Sequence, residues 1–508
     1  MTRSQLNMIT RLARAGALER AWALFHAGGG DLAGSQDPDV LTVHGRLLKD
    51  RAAQEQGAAR ETSLNDAITA YLRASELSRA TYPLINAATL ACLAGRRDQS
   101  QRLAQETIAL LDGGQYAPET DYWLNATRAE ALLLLDRISE ADAALGTAIR
   151  CQPEAWEDHA STLRQFSLIL RETGGAETWL APYRPPPCLH FEGILGIAAD
   201  DAAAQAAIED QVRAIAPSYA IGALAAGADI LVAEAAVRAG GLVHVVLPCP
   251  PELFCELSIA PFGAAWQSRF DLLMDQAASV LILDDWHPLS GASVAVAREA
   301  AMGQAIKEGR RLQSSALALR VRSLDEAPPP FDDDALKQVG IPLREVTVER
   351  SSNVQSALSA DMRPMALLAV PPGAGAKLEP EALGSGRRLS GRRLGKQQDH
   401  LIFGFDALAD CAEVACSFAR RHPDVRLGID YRAVPLANRH DLRADRAAAI
   451  ALADLGGAIG LSESAALALA VHLPSAHVQT MGDIHTAAGD VAIYGLFLDT
   501  ASGDKIGQ

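Results

Sequence analysis

Between residues 222 and 229 the chain reads GALAAGAD, two glycines closing on an aspartate where an apolar run gives way to a helical pattern. Gly222 and Gly227 permit close backbone approach of a ligand. The first amides of the following helix offer donors and a positive dipole end to phosphate, and Asp229 stands beside them. This is chemistry for an anionic, nucleotide-like ligand. Glu234 lies one to two helical turns further on. A second reading makes the loop an ordinary tight turn, with Asp229 and Glu234 complementing the helix dipole. His244, alternating with core residues in VHVVLP, reads as a packed or edge histidine.

The elements that must hold this loop are short apolar runs alternating with amphipathic helices. The strands are GILGIA (193–198), SYAIGAL (218–224), VHVVLP (243–248), SVLILDD (279–285) and SALALRV (315–321). Repeated βα units predict a doubly wound parallel sheet over 184–325, with ligands beyond the carboxyl ends of its strands. Pro185-Pro186-Pro187 marks its start. Before it, over 1–183, small residues such as Ala87, Ala91, Ala94 and Gly95 recur where antiparallel helices must approach, which predicts a tetratricopeptide-like solenoid. After it, 326–361, with APPPFDDD and the single strand LREVTVE, reads as a linker. Residues 362–508 read as an α+β domain: the strand MALLAV, the hairpin RRLGKQQDHLIFGF, the helix ALADCAEVACSFARR and the strand VRLGIDY, then the tail AIGLSESAALALAV and HVQTMGDIHTAAGDVAIYGL. The fold class is therefore multidomain: all-α, then α/β, then α+β.

With 49% hydrophobic residues and a net charge of −16, the chain is globular and lacks a general affinity for nucleic acid or anionic membrane. Arg387, Arg388, Arg392 and Arg393 are a local exception, read as a solvated loop. The seven cysteines lack zinc-ligand spacing and read as reduced thiols. The opening MTRSQLNMITRLARAGALERAW has no apolar h-region, so a cytoplasmic location is expected.

Three segments carry resemblances. HGRLLKD (44–50), AITAYLRASEL (67–77) and LINAATLACLAG (84–95), in this order, resemble the TRAFs-binding domain, a tetratricopeptide-like region of eukaryotic stress-kinase kinases also found in bacterial proteins; this implies protein partners for the helical domain. GALAAGADILVAEAAVRAGGLVHVVLP resembles the SLOG superfamily, whose signalling members are thought to sense nucleotide-derived ligands; the PGGxGTxxE motif of its enzymes is absent, and Glu234 alone is placed like their glutamate. RLGIDYRAVPL, RADRAAAIALADLGGAIGLSESAALALAV and HVQTMGDIHTAAGDVAIYGL resemble class III adenylate/guanylate cyclase domains.

That last resemblance implies two metal-binding aspartates, an Asn for the ribose and an Arg for the developing phosphate charge. Here Pro371 falls at the first metal position, Asp399 matches the second, Asp445 falls at the Asn position and Ala449 at the Arg position. Both halves of the catalytic set are broken, leaving Asp399 as a relic with a structural use at a hairpin turn. The expectation is a regulatory pseudo-cyclase that senses a nucleotide-derived ligand, binds protein partners and pairs as a homodimer through the cyclase-like domain. No cyclase activity and no fixed cofactor are expected; the rivals are an N-glycosidic hydrolase of a nucleotide or NAD-like molecule, which the SLOG resemblance would run through Glu234, and a pure interaction scaffold.

Overall fold

The computed structural model describes residues 1–14, 18–28, 34–283, 289–323, 339–351, 358–359, 361–382, 391–397, 399–435, 445–452, 459–486 and 489–497. It divides into two compact units, Met1–Pro185 and Pro186–Gln508.

The first unit is helical: α1 (Arg3–Arg14), α2 (Leu18–Ala27), α3 (Pro38–Ala52), α4 (Gly57–Ser78), α5 (Thr81–Leu93), α6 (Arg97–Gly113), α7 (Asp121–Leu134), α8 (Ile138–Cys151) and α9 (Trp156–Thr173). Helices pack as hairpins, α3 on α4, α5 on α6 and α7 on α8. Small residues set the spacing, as the solenoid pattern predicts: a Cβ at Gly45 would meet the Tyr71 ring at 3.0 Å. Within HGRLLKD, His44 stacks on Phe25 at 5.5 Å between ring centroids, and Lys49 Nζ donates to Asn86 Oδ1 (3.1 Å) and Gln165 Oε1 (2.7 Å). Gln165 Nε2 donates on to Glu130, which also accepts from Thr89. Four helices, α3, α5, α7 and α9, are thus tied by one polar chain. Burial pushes the Lys49 amine down and the Glu130 carboxyl up from their ordinary values.

The second unit contains two sheets. The first has the order β4-β3-β2-β1-β5-β6. Its strands, β1 (Cys188–Gly193), β2 (Tyr219–Gly222), β3 (Leu242–Leu247), β4 (Ser279–Ile282), β5 (Ala316–Ser323) and β6 (Leu343–Val348), are all parallel. Between them run α10 (Ala202–Ile215), α11 (Ala228–Arg238), α12 (Pro251–Ser258), α13 (Ala264–Gln276) and α14 (Gly291–Arg311). The chain winds outward from β1 in both directions, so the topological switch point lies between β1 and β5.

Two details differ from expectation. The first strand is CLHFEG, not GILGIA: Gly196 takes φ 82°, a left-handed turn conformation, and 194–198 form the loop at the carboxyl end of β1. The strand in the segment read as a linker is the sixth member of this sheet, paired with β5.

The second sheet is mixed, in the order β12-β13-β11-β10-β7-β9-β8. It comprises β7 (Met362–Val370), β8 (Arg392–Gln397), β9 (His400–Phe405), β10 (Gly428–Pro435), β11 (Ile459–Ser462), β12 (His477–Thr486) and β13 (Gly489–Phe497). Its helices are α15 (Pro372–Ala382), α16 (Leu408–Arg421), α17 (Asp445–Leu452) and α18 (Glu463–His472). Helix α14 is shared. One side packs on β1, β2, β3 and β5, and the other on α18, β7 and β10. Among the described residues no helix is long and apolar enough to cross a membrane. All seven cysteines are free thiols; Cys188, Cys249 and Cys411 are buried and Cys151 is exposed.

Candidate ligand-binding site

A cavity of about 390 Å³ opens at the carboxyl ends of the parallel strands, at the switch point between β1 and β5. The strand ends contribute His190 and Glu192 from β1 and Arg320 and Arg322 from β5, the loop before α11 contributes Ala223 and Ala225, and the helices contribute Asp229 and Arg298. Phe191, Ile194, Val246 and Phe254 give it apolar walls.

The polar groups divide by depth. His190 (2% exposed) and Asp229 (8% exposed) are buried. His190 Nδ1 donates to the Ile221 carbonyl at 3.2 Å, which leaves Nε2 as the acceptor of the neutral ring, and Nε2 has no hydrogen-bond partner. Burial lowers the imidazole below its ordinary value and so favours that neutral form. Asp229 Oδ2 accepts from the Ala225 amide at 3.2 Å while Oδ1 has no partner. Burial raises this carboxyl to about 7, with Glu192 pushing the same way and the Ala225 and Gly193 amides opposing.

Glu192 meets Arg320 Nε at 2.6 Å and Arg298 Nε at 3.7 Å. Burial alone would raise the Glu192 carboxyl, but the neighbouring guanidinium groups of Arg298 and Arg320 help to outweigh it and hold it below its usual value. Arg322 lies 3.5 Å from Glu345. The guanidinium side is the wetter one, since the side chains of Arg298 and Arg322 are 31% and 23% exposed.

The residues picked out by the loop motif take different places. Asp229 lines the cavity. Gly222 and Gly227 are packing positions: a Cβ at Gly222 would lie 2.7 Å from the Phe191 ring, and Gly227, at φ 117°, brings its backbone against the Ile194 carbonyl. Glu234 is drawn into a bidentate pair with Arg269, at 2.7 and 2.5 Å, and the Arg269 guanidinium lies over Trp266. His244 donates or accepts at Ser279 Oγ, 2.8 Å away, against the Tyr219 ring. The loop sequence gave no sign of His190, Glu192, Arg298 or Arg320. The available signal was the alternation in LHFEG, where Leu189 and Phe191 turn to one face and His190 and Glu192 to the other.

In the second sheet Pro371 follows β7 directly, and Asp399 sits in the β8–β9 turn with φ 62°, a left-handed conformation that aspartate tolerates. Asp445 and Ala449 fall on α17, four residues apart. Of the basic stretch, Arg392 pairs with Asp406 at 2.6 Å on β8, whereas Arg387 and Arg388 lie outside the described residues.

Residues 2–91 match the family model described as Tetratricopeptide Repeats-Sensor. A curated relative, the mitogen-activated protein kinase kinase kinase nsy-1 of Caenorhabditis elegans, is 31% identical over 143 residues. That match takes in 27% of this chain and only 9% of the relative, so the chain spans about a tenth of the protein it resembles. A solved structure of adenylate cyclases from Trypanosoma brucei in their monomeric state aligns with 29% of this chain and 92% of its own, at 13% identity and a TM-score of 0.19, too low to carry an argument.

Proposed function

We propose that this chain is a regulatory signalling protein that binds a nucleotide-like ligand in the cavity at the β1–β5 switch point and engages protein partners through its helical unit. The observation that carries the reading is the cavity: an apolar slot at the carboxyl ends of a doubly wound sheet, with two buried polar atoms that lack protein partners and a guanidinium cluster on the wetter side. The sensor-type tetratricopeptide match over residues 2–91 supports a regulatory role.

In the same reading the second sheet is a pseudo-cyclase. Pro371 has no side chain to ligate Mg²⁺, and Asp445 and Ala449 on α17 supply neither the amide nor the guanidinium that cyclisation of a triphosphate needs. Its retained use is association with a second copy, so light scattering should return about twice 53.7 kDa. Hydrolysis through Glu234 is disfavoured by the Arg269 pair that already occupies both of its oxygens.

The test is a thermal-shift and calorimetric screen of the full chain against nucleoside mono-, di- and triphosphates, run beside a cyclase assay with ATP and GTP in Mg²⁺ or Mn²⁺. A stabilising ligand with no cyclic product is the expected result. Cyclic product would overturn the pseudo-cyclase reading, and silence across the nucleotide panel would overturn the ligand.

A further inference from the structure

The helical unit holds a cavity of its own, about 1030 Å³, and the polar chain that ties α3, α5, α7 and α9 stands in its wall. Arg46, Lys49 and Asp50 of HGRLLKD line it, beside Asn86, Glu130 and Gln165. Positions i, i+3 and i+4 share one face of α3. The packing of this helix is carried by other members of the motif, since Gly45, Leu47 and Leu48 are buried. Packing therefore leaves the three charges on the cavity face without an explanation.

Two of these charges are incompletely answered. Lys49 Nζ is fixed by two neutral oxygens, those of Asn86 and Gln165. Asp50 lies 3.7 Å from Arg46 Nε, too far for a hydrogen bond, and its Oδ2 has no hydrogen-bond partner. Burial pushes the Lys49 amine down although Tyr82, Glu130 and Asp50 pull it up. Burial pushes the Asp50 carboxyl up although Arg46, Lys49 and Arg164 pull it down. The two groups thus feel each other, and each still falls short of opposite charge. An anion beside Lys49 would favour the ammonium again, and a cation beside Asp50 would favour the carboxylate. A ligand with only one of these charges would set it against the like-charged neighbour.

We propose that this cavity is a second ligand site, for a zwitterion of the α-amino acid class, its carboxylate bound by Lys49 and its ammonium by Asp50. The site is independent of the nucleotide reading of the other cavity. Leu64, Tyr71, Ile85 and Leu90 in the same wall suit an apolar side chain.

The experiment is calorimetric titration of the full chain with L-leucine, L-methionine, L-phenylalanine and L-tryptophan. Each is compared with the amine that lacks only its carboxylate and the acid that lacks only its ammonium; for phenylalanine these are 2-phenylethylamine and 3-phenylpropionate. At least one amino acid should bind, with both of its analogues about tenfold or more weaker, because each loses a charge-assisted bond. Lys49→Gln should weaken the amino acid about tenfold and leave the amine unchanged. Asp50→Asn, at a half-buried side chain outside the polar chain, should weaken the amino acid and leave the acid unchanged; it keeps the test readable if Lys49→Gln disturbs the helices.

An amine or acid that binds as tightly as its amino acid overturns the two-charge site. Amino-acid binding that neither variant alters places the ligand elsewhere and overturns it too, as does silence across the four amino acids at millimolar concentration. Loss of nucleotide binding in folded Lys49→Gln would make this cavity the nucleotide site and overturn the zwitterion as its occupant.

Discussion

Asp229 costs the fold stability at neutral pH. In an unfolded chain its carboxyl titrates near 3.8, whereas in the folded protein burial raises it to about 7. Between those values the native state holds a proton that the unfolded state has released. The stabilisation is therefore complete below the lower value and is lost as pH climbs through the upper one. The separation is some three units, which sets an upper bound on the order of 4 kcal/mol. Asparagine keeps the shape and the acceptor for the Ala225 amide but cannot ionise. Asp229→Asn should accordingly melt several degrees above the wild type at pH 8, with the gap closing as pH falls toward 4. Scanning calorimetry across that range checks it, and His190, present in both proteins, cancels from the difference. A gap that is constant with pH would mean that the carboxyl does not titrate in this window. Of the site's residues, Asp229 was legible because it follows a glycine loop, a local pattern. His190 and Glu192 were not: on a strand a polar residue interrupts the apolar run that announces the strand, so the expected strand falls on the cleaner GILGIA, just C-terminal to both.

Helix α14 shows why elements are easier to find than their neighbours. Its sequence, SVAVAREAAMGQAIKEG, announces a helix plainly, and its N-terminus is closed by a capping box between Ser290 and Ser293. What the periodicity does not announce is that both faces are covered. Val294, Ala297, Arg298 and Ala301 line the cavity, while Met302 and Ile306 join Ala318 of β5 and Val471 of α18 in a core cluster that draws on both sheets. The hydrogen bond between Glu299 and His472, at 2.8 Å, spans the same contact. Small residues all round the helix were the available sign of a two-sided contact, since a helix with an apolar surface all round is a buried one. Gly303 is the tightest point: a Cβ there would lie 1.9 Å from the Leu467 carbonyl oxygen, and a backbone atom cannot rotate aside. Gly303→Ala should therefore destabilise by about 3 kcal/mol or more, at the upper end of overpacking costs, against its helix-propensity gain. Gly291→Ala, at the start of the same helix with nothing within 4 Å of the new methyl, should be neutral or gain up to about 1 kcal/mol. Urea denaturation of the two variants separates packing from propensity, and equal behaviour would refute the close approach.

At the scale of the molecule, the proline run at 185–187 coincides with the boundary between the two compact units, and the reason is physical: an X-Pro segment favours extended chain and ends the helical pattern before it. No such boundary divides the two sheets of the second unit. β6 comes from beyond residue 338 yet pairs with β5, and α14 gives one face to each sheet. A fragment ending at residue 325 would lose β6 from its edge and uncover Met302, Gly303 and Ile306; the complementary piece would uncover Leu467 and Val471. Apolar surface of that kind drives association when it has no partner. The expectation is that residues 1–185 and 186–508, made separately, each unfold in one cooperative step, the first with a strongly helical circular-dichroism spectrum. Residues 184–325 made alone should bind a hydrophobic dye, aggregate at micromolar concentration and lose the hydrogen-exchange protection of α14, and co-expression with 326–508 should restore all three properties. A monomeric 184–325 fragment with α14 protected as in the whole chain would show that the first sheet stands without the second, and that the contact around Gly303 is an encounter between two independent domains.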